Sequence, residues 1–175
     1  MMRNSRQGQP DRILHPVPDL LLGQAAALWR AHFGGWFWPR RVDAAHGLVA
    51  VDAGGRVTGV MGLRDGVGGF GVGRPLWPGW LYRPAPPTAD LVIDGLAVIA
   101  PRQGTGRALV AAARQAAART GRPGLRAEVR ARNRGALAFY KALGFVPEGC
   151  GRYGLPWWGQ VHLLRLAVPP AGDDR

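Results

Sequence analysis

The sequence predicts an α/β (α+β) domain in which a single mixed sheet carries helices on its faces. Three observations carry that prediction. Apolar or alternating segments recur between segments of helical period, in the order strand, helix, hairpin, strand, turn and helix, strand, helix, strand. Glycine and proline gather at the joints between these segments. The chain has 175 residues, 47% of them apolar, which is enough for one domain with one core.

Taken in order, Met1–Pro10 reads as a flexible tail, residues 11–169 as the domain and residues 170–175 as a C-terminal tail. "RILHPVPDL" is a short strand whose prolines favour an edge. Asp19 then caps "LLLGQAAALWRAHF", which places Leu21, Ala25, Leu28 and Trp29 on one face. "HGLVAVDAGGRVTGVMGLRD" is a hairpin closed by a tight Ala-Gly-Gly turn. Gly66–Thr88 is crowded with glycine, proline and aromatics; it reads as an insertion, with a lid as one use for it. "DLVIDGLAV" is a buried strand. After it comes a glycine-bracketed turn and a helix running to about Thr120, stopped by Gly121 and Pro123. "LRAEVRA" alternates as a strand, and "NRGALAFYKALG" is a helix with Ala136, Phe139, Tyr140 and Leu143 in one stripe. "VHLLRLAV" closes the domain after a second Gly/Pro/Trp segment, Gly149–Gly159.

Composition removes several classes of function. The net charge is +12, from 23 Lys and Arg against 11 Asp and Glu. Only Lys141 is a lysine, and Ala, Gly, Pro and Arg dominate elsewhere, so compositional bias explains the charge as well as an anionic partner would. The arginines are scattered and no nucleic-acid motif is present, so no nucleic-acid partner is expected. No apolar run reaches the 18 or so residues of a membrane span, and the N-terminus has no apolar core of a signal peptide. The one cysteine, Cys150, has no internal partner, which fits a cytoplasmic protein.

The turn "APRQGTGRALVAAARQ" is the most informative stretch. It is not a P-loop, since no lysine follows Gly106, and it lacks the third glycine of a dinucleotide fingerprint, where Leu109 stands. A plain strand-to-helix turn with glycines for positive φ remains open. A helix N-terminus nonetheless offers unpaired N–H donors and about half a positive charge. Glycines let that backbone approach a diphosphate, and Arg102 and Arg107 add charge-assisted bonds.

"DGLAVIAPRQGTGRALVAAARQAAARTG" followed by "LRAEVRARNRGALAFYKALGFVPEG" resembles the core of the GNAT superfamily of acyl-CoA-dependent N-acetyltransferases. The resemblance covers about Leu91–Gly149. Asn133, Ala136, Phe139, Tyr140, Gly144 and Phe145 stand at that family's N-x-x-A-x-x-F-Y-x-x-x-G-F spacing. It implies a mostly antiparallel central sheet flanked by helices on both faces, and acetyl-CoA as co-substrate. The family's Q/R-x-x-G-x-G/A signature fits in two registers. Gln103, Gly106 and Ala108 fill one; Gly104 and Gly106, with Pro101 in place of the usual Gln/Arg, fill the other, which the helix favours.

The resemblance implies direct attack of an amine on the thioester within a ternary complex. The cofactor contacts expected are the strand residues Leu96, Ala97 and Val98, the turn residues Arg102, Gln103, Gly104, Thr105, Gly106, Arg107 and Ala108, and Asn133 and Tyr140. A main-chain N–H near Leu96–Val98 would stabilise the oxyanion, and Tyr140 stands where many members carry a tyrosine beside the sulfur. Its phenol, ordinarily near 10, lies roughly 1.5 units above a thiol, so donation to the thiolate is modestly uphill. Asp94 is the first candidate base; Glu128, alternating with Arg126 and Arg130, and a water chain are the others. Arg132 or Arg134 is placed to meet the adenosine 3′-phosphate, or is a solvated surface arginine. His32, His46 and His162 are scattered, and no metal-ligand spacing occurs, so no metal is expected.

The acceptor leaves a weaker trace. Three tryptophan-bearing stretches, Gly34–Arg41, Leu76–Pro84 and Gly154–Gln160, line a pocket, form a dimer surface, or cap the core. An aromatic cage favours a cationic or amphipathic amine, while the arginine content disfavours a polycation. The expected acceptor is a small-molecule primary amine, with a protein N-terminus or lysine, or a non-catalytic acyl-CoA-binding module, as the alternatives; a homodimer is possible.

Overall fold

The computed structural model describes residues 11–33, 41–73 and 78–169. The N-terminal tail, most of the Gly34–Arg41 stretch, residues 74–77 and the C-terminal tail lie outside them. Among the described residues, nine strands and three α-helices follow in chain order: β1 (Arg12–Leu14), α1 (Asp19–Phe33), β2 (Arg41–Val42), β3 (Gly47–Val51), β4 (Val57–Arg64), β5 (Gly71–Val72), β6 (Leu91–Val98), α2 (Thr105–Arg119), β7 (Gly124–Arg130), α3 (Arg134–Ala142), β8 (Val146–Gly151) and β9 (Val161–Ala167). Seven strands form one sheet in the order β1-β3-β4-β6-β7-β9-β8, and β2 pairs with β5. Every pairing is antiparallel except β6 with β7. That parallel pair is joined through α2, the crossover a parallel connection requires.

The sheet is covered on both faces, so both faces of its central strands carry buried apolar residues. Leu48, Ala50, Met61, Leu63 and Ile93 join α2 and α3 in one cluster. Val49, Val51, Val60 and Ala97 join α1, through Ala25 and Trp29, in the other. Gly62 and Gly95 are cross-strand partners, and a β-carbon on either would lie 2.6 Å from Trp29 Cη2. Two adjacent glycines therefore let the indole of α1 lie against the sheet.

Two expectations are corrected. Asp19 is the first residue of α1 rather than a cap outside it. Gly149–Gly151 is part of strand β8; Pro147 and the glycines are tolerated because β8 is an edge. Within Gly66–Thr88, Phe70 is fully buried and meets Trp29 edge-on at 5.1 Å.

Candidate active site

The site begins where the sheet comes apart. β6 and β7 are paired only from Leu91–Ile93 against Leu125–Ala127. Opposite β4, the ladder passes from Ile93 to Gly95 and skips Asp94. This one-residue bulge reverses the faces of the strand. Leu91 and Ile93 face α2 before it, and Leu96 and Val98 do so after it. Past Asp94, the β7 side of β6 has no strand partner among the described residues. A cavity of about 600 Å³ fills the wedge, bounded by Leu96, Val129, Asn133 and Tyr140 on one side and by Trp29, Tyr82 and Trp158 on the other.

At the open end lies the turn. Arg102 (φ 66°) and Gly104 (φ 90°) adopt left-handed conformations, and Gly104 caps α2 directly. A non-glycine residue there is strained, which gives Gly104 a purpose under the second register. Ala108 N–H donates to the Gly104 carbonyl at 3.0 Å, so it is spent within the helix. The amides of Gln103–Arg107 have no main-chain acceptor among the described residues. The Thr105 hydroxyl points inward: it donates to Asp11 Oδ2 at 2.6 Å, which also accepts from Thr58 at 2.8 Å. Only the amide of Thr105 is left for a ligand. Gly106 also faces inward, since a β-carbon on it would lie 3.3 Å from Phe139 Cζ and 3.6 Å from Leu96 Cδ2. Arg102 and Arg107 are exposed.

Helix α3 supplies the far wall. Asn133 caps it, accepting from Ala136 N–H at 3.1 Å. Tyr140, 6% exposed, is held edge-on between Phe139 (5.2 Å) and Phe145 (5.0 Å). Burial pushes its phenol well above the ordinary tyrosine value. Its hydroxyl has no hydrogen-bond partner in the protein among the described residues, and the residue lines the cavity.

The two candidate bases meet through a residue that sequence reasoning missed. Arg64, the last residue of β4, donates from Nε to Asp94 Oδ1 at 3.1 Å and from Nη2 to Glu128 Oε1 at 3.2 Å. Burial works against the Arg64 charge, but Asp94 and Glu128 outweigh it and raise its pKa. Tyr82 lies against the same group. Burial and then Glu128 raise its phenol, with Arg64 opposing. Glu128 approaches Arg126 Nε at 3.8 Å, as alternation suggested. Arg130, however, turns away and stacks on Trp158 at 4.0 Å. Arg126 is almost fully buried and donates to the Pro86 carbonyl at 2.7 Å.

The two anomalous Gly/Pro/aromatic stretches meet as well. Arg83 and Gly154 exchange two backbone hydrogen bonds, of 3.0 and 2.7 Å, and Tyr82 meets Trp158 edge-on at 6.1 Å. Tyr82, Tyr153 and Trp158 thereby line the cavity, while Trp80 and Trp157 stay exposed. Trp36, Trp38 and Trp77 lie outside the described residues. Cys150 is exposed and donates weakly to Gln160. No helix of the described residues is long and apolar enough to cross a membrane.

Comparison with known proteins agrees with this architecture. The model of the acetyltransferase (GNAT) family matches residues 23–145. The structure is similar to Ard1 from Thermoplasma volcanium at 17% identity and a TM-score of 0.66, covering 92% of this chain and 99% of that one. It is similar to the ribosomal-protein-S18-alanine N-acetyltransferase from Escherichia coli at 18% identity and a TM-score of 0.57, covering 94% and 98%. It is also similar to yncA from Salmonella typhimurium, solved with its cofactor acetyl-CoA, at 16% identity and a TM-score of 0.60, covering 95% and 99%. No curated protein sequence matches the chain. The family match runs from within α1 to the residue before β8 and so spans the bulge, the turn and α3 together; the chain belongs to the acetyltransferase (GNAT) family and is an acyltransferase.

Proposed function

We propose that the protein transfers an acetyl group from acetyl-CoA to the primary amine of a small molecule, by direct attack in a ternary complex. The observation that carries this is the wedge. Its free strand edge lines the cavity at Gly95 and Leu96, and β6 then runs on to the turn whose Gln103–Arg107 amides are unpaired; the chemistry of that donor set fits a diphosphate followed by a narrow amide-bearing arm. Leu96, Ala97 and Val98 offer the strand edge, Asn133 the opposite rim, and Arg102 and Arg107 mobile charge beside the turn. Acetyl-CoA, when bound, supplies a thioester carbonyl and a thiol leaving group.

The chain's own groups then divide the proton work. A main-chain N–H on the β6 edge polarises the carbonyl. Asp94 or Glu128 takes the proton that the attacking nitrogen loses. As the nitrogen–carbon bond forms, the carbon–sulfur bond breaks and the sulfur takes a proton. Tyr140 is the donor beside it. Its raised pKa keeps it protonated, so it acts first as a neutral hydrogen-bond donor to the sulfur, and full transfer is more uphill than for an ordinary phenol.

The aromatic wall of Tyr82, Tyr153 and Trp158, and the Arg83–Gly154 bridge above it, support a compact acceptor over an extended polypeptide. Thiol release from acetyl-CoA with a panel of small amines, beside peptides with free N-termini, tests this. Turnover confined to peptides overturns the acceptor class. Acetyl-CoA binding without turnover on any amine overturns catalysis.

A further inference from the structure

Among the described residues, two arginines that line the cavity face no carboxylate, and of these Arg130 is half-buried while Arg132 is exposed. Arg130 is the last residue of β7 and lines the wedge beside Glu128. The other two arginines that border the base group each face a carboxylate: Arg64 bonds Asp94 and Glu128, and Arg126 bonds the Pro86 carbonyl and lies 3.8 Å from Glu128, with its Nε and Nη2 making no hydrogen bond among the described residues. Arg130 makes neither a salt bridge nor a side-chain hydrogen bond among the described residues. Its guanidinium instead lies over the Trp158 ring, 4.0 Å from the centroid. Burial and then the nearby charge of Arg132 lower its pKa, so its surroundings work against the charge it carries.

A guanidinium stacked on an aromatic face is held in one plane with its N–H edge free, a geometry suited to a bidentate anion. Glu128 and Arg130 are alternate residues on one face of a strand, about 7 Å apart along it. The face therefore presents a carboxylate for an amine and, one side chain further on, an unspent cation. Arg64 occupies Asp94 Oδ1 and Glu128 Oε1, while Asp94 Oδ2 and Glu128 Oε2 have no partner among the described residues. These oxygens are left to receive an ammonium group.

We propose that the acceptor carries an acid beside its amine, as an amino acid does, with Asp94 and Glu128 meeting the nitrogen and Arg130 pairing with the carboxylate. This rests on the acetyltransferase reading of the same cavity. Arg130 is thus a specificity-determining residue, with Trp158 as its platform. An amine lacking the acid leaves the guanidinium half-buried and unpaired, which is how a polar site rejects an analogue.

The test uses the full chain, saturating acetyl-CoA and matched acceptors: phenylalanine against phenethylamine, methionine against 3-(methylthio)propylamine, and phenylalaninamide as the uncharged variant. The wild type is expected to favour the acid-bearing partner in kcat/KM by roughly tenfold or more. In Arg130→Met that ratio collapses, chiefly through KM of the acid, and Arg130→Lys retains part of it. A wild type that acetylates the decarboxylated partners as well or better overturns the proposal, and needs no variant to fold. So does an Arg130→Met protein that slows both partners equally, or one whose acetyl-CoA affinity falls while the ratio holds. Acetyl-CoA binding with turnover of decarboxylated amines only sinks this inference and leaves the acetyltransferase reading standing. Failure to bind acetyl-CoA sinks both.

Discussion

Asp94 and Glu128 stand on opposite lips of the opening between β6 and β7, and Arg64 bonds one oxygen of each. Removing that guanidinium leaves two carboxylates facing each other without their shared counter-charge. One of them then takes up a proton more readily, because loss of an opposite charge disfavours the ionised form. In Arg64→Met, the acid limb of kcat/KM against pH is expected to move to higher pH by about one unit. A limb that stays in place while activity falls uniformly would assign Arg64 to packing alone.

Tyr140→Phe keeps the ring between Phe139 and Phe145 and removes only the hydroxyl. Thiol release is expected to slow at least about tenfold, with acetyl-CoA affinity little changed, as befits a group acting on the leaving sulfur. Single-turnover measurements separate this from slower binding. Unchanged turnover would leave Tyr140 as a core residue.

Thr105→Val removes the donor that ties the start of α2 to Asp11. The carboxylate keeps Thr58 but loses its 2.6 Å bond, at an expected cost of about 1–3 kcal/mol. Thermal unfolding should show that loss without acetyl-CoA present. If the side chain held a phosphate instead, the loss would appear only in the Kd for acetyl-CoA.

The two turn glycines are expected to respond differently. Gly104→Ala meets no atom within 4 Å, but its φ of 90° belongs to glycine, so the turn itself shifts and acetyl-CoA affinity falls. Gly106→Val presses on Phe139 and Leu96, and affects stability as well as affinity. Comparing Tm and Kd for both variants distinguishes these effects; equal behaviour would mean that the turn is not held as described.

Asp65 gives a pH prediction remote from the cavity. Burial works to raise its pKa, but the amides of Val67 and Gly68 and the His46 side chain outweigh it, leaving the carboxyl below its ordinary value. A depressed carboxylate contributes stability that is fully present above the unfolded value, about 3.9, and lost as pH falls through the folded value. The Tm advantage of wild type over Asp65→Asn should therefore hold at pH 6 and shrink below pH 4. A constant advantage would refute the linkage.

Much of this architecture was legible in the residues. The turn, the Asn133–Phe145 spacing and the order of elements identify the fold. Side-chain direction was not legible. Thr105, Gly106 and Ala108 sit in the expected stretch, yet the Thr105 hydroxyl is committed to Asp11, the Gly106 Cα faces Phe139 and Leu96, and the Ala108 amide is spent on Gly104 within the helix. Arg64 escaped notice because nothing at the end of a hairpin strand announces a partner 30 residues on and another 64 residues on. The bulge at Asp94 was equally silent, since strict alternation cannot reveal a skipped residue.

Only three residue pairs join β6 to β7, so the sheet is two blades, β1-β3-β4-β6 and β7-β9-β8, hinged along a short seam. Whatever enters the gap stitches those blades together. Amide deuterium uptake at residues 95–98 and 128–130 should then slow on saturation with unreactive coenzyme A, reporting occupancy in a protein whose acceptor has yet to be offered.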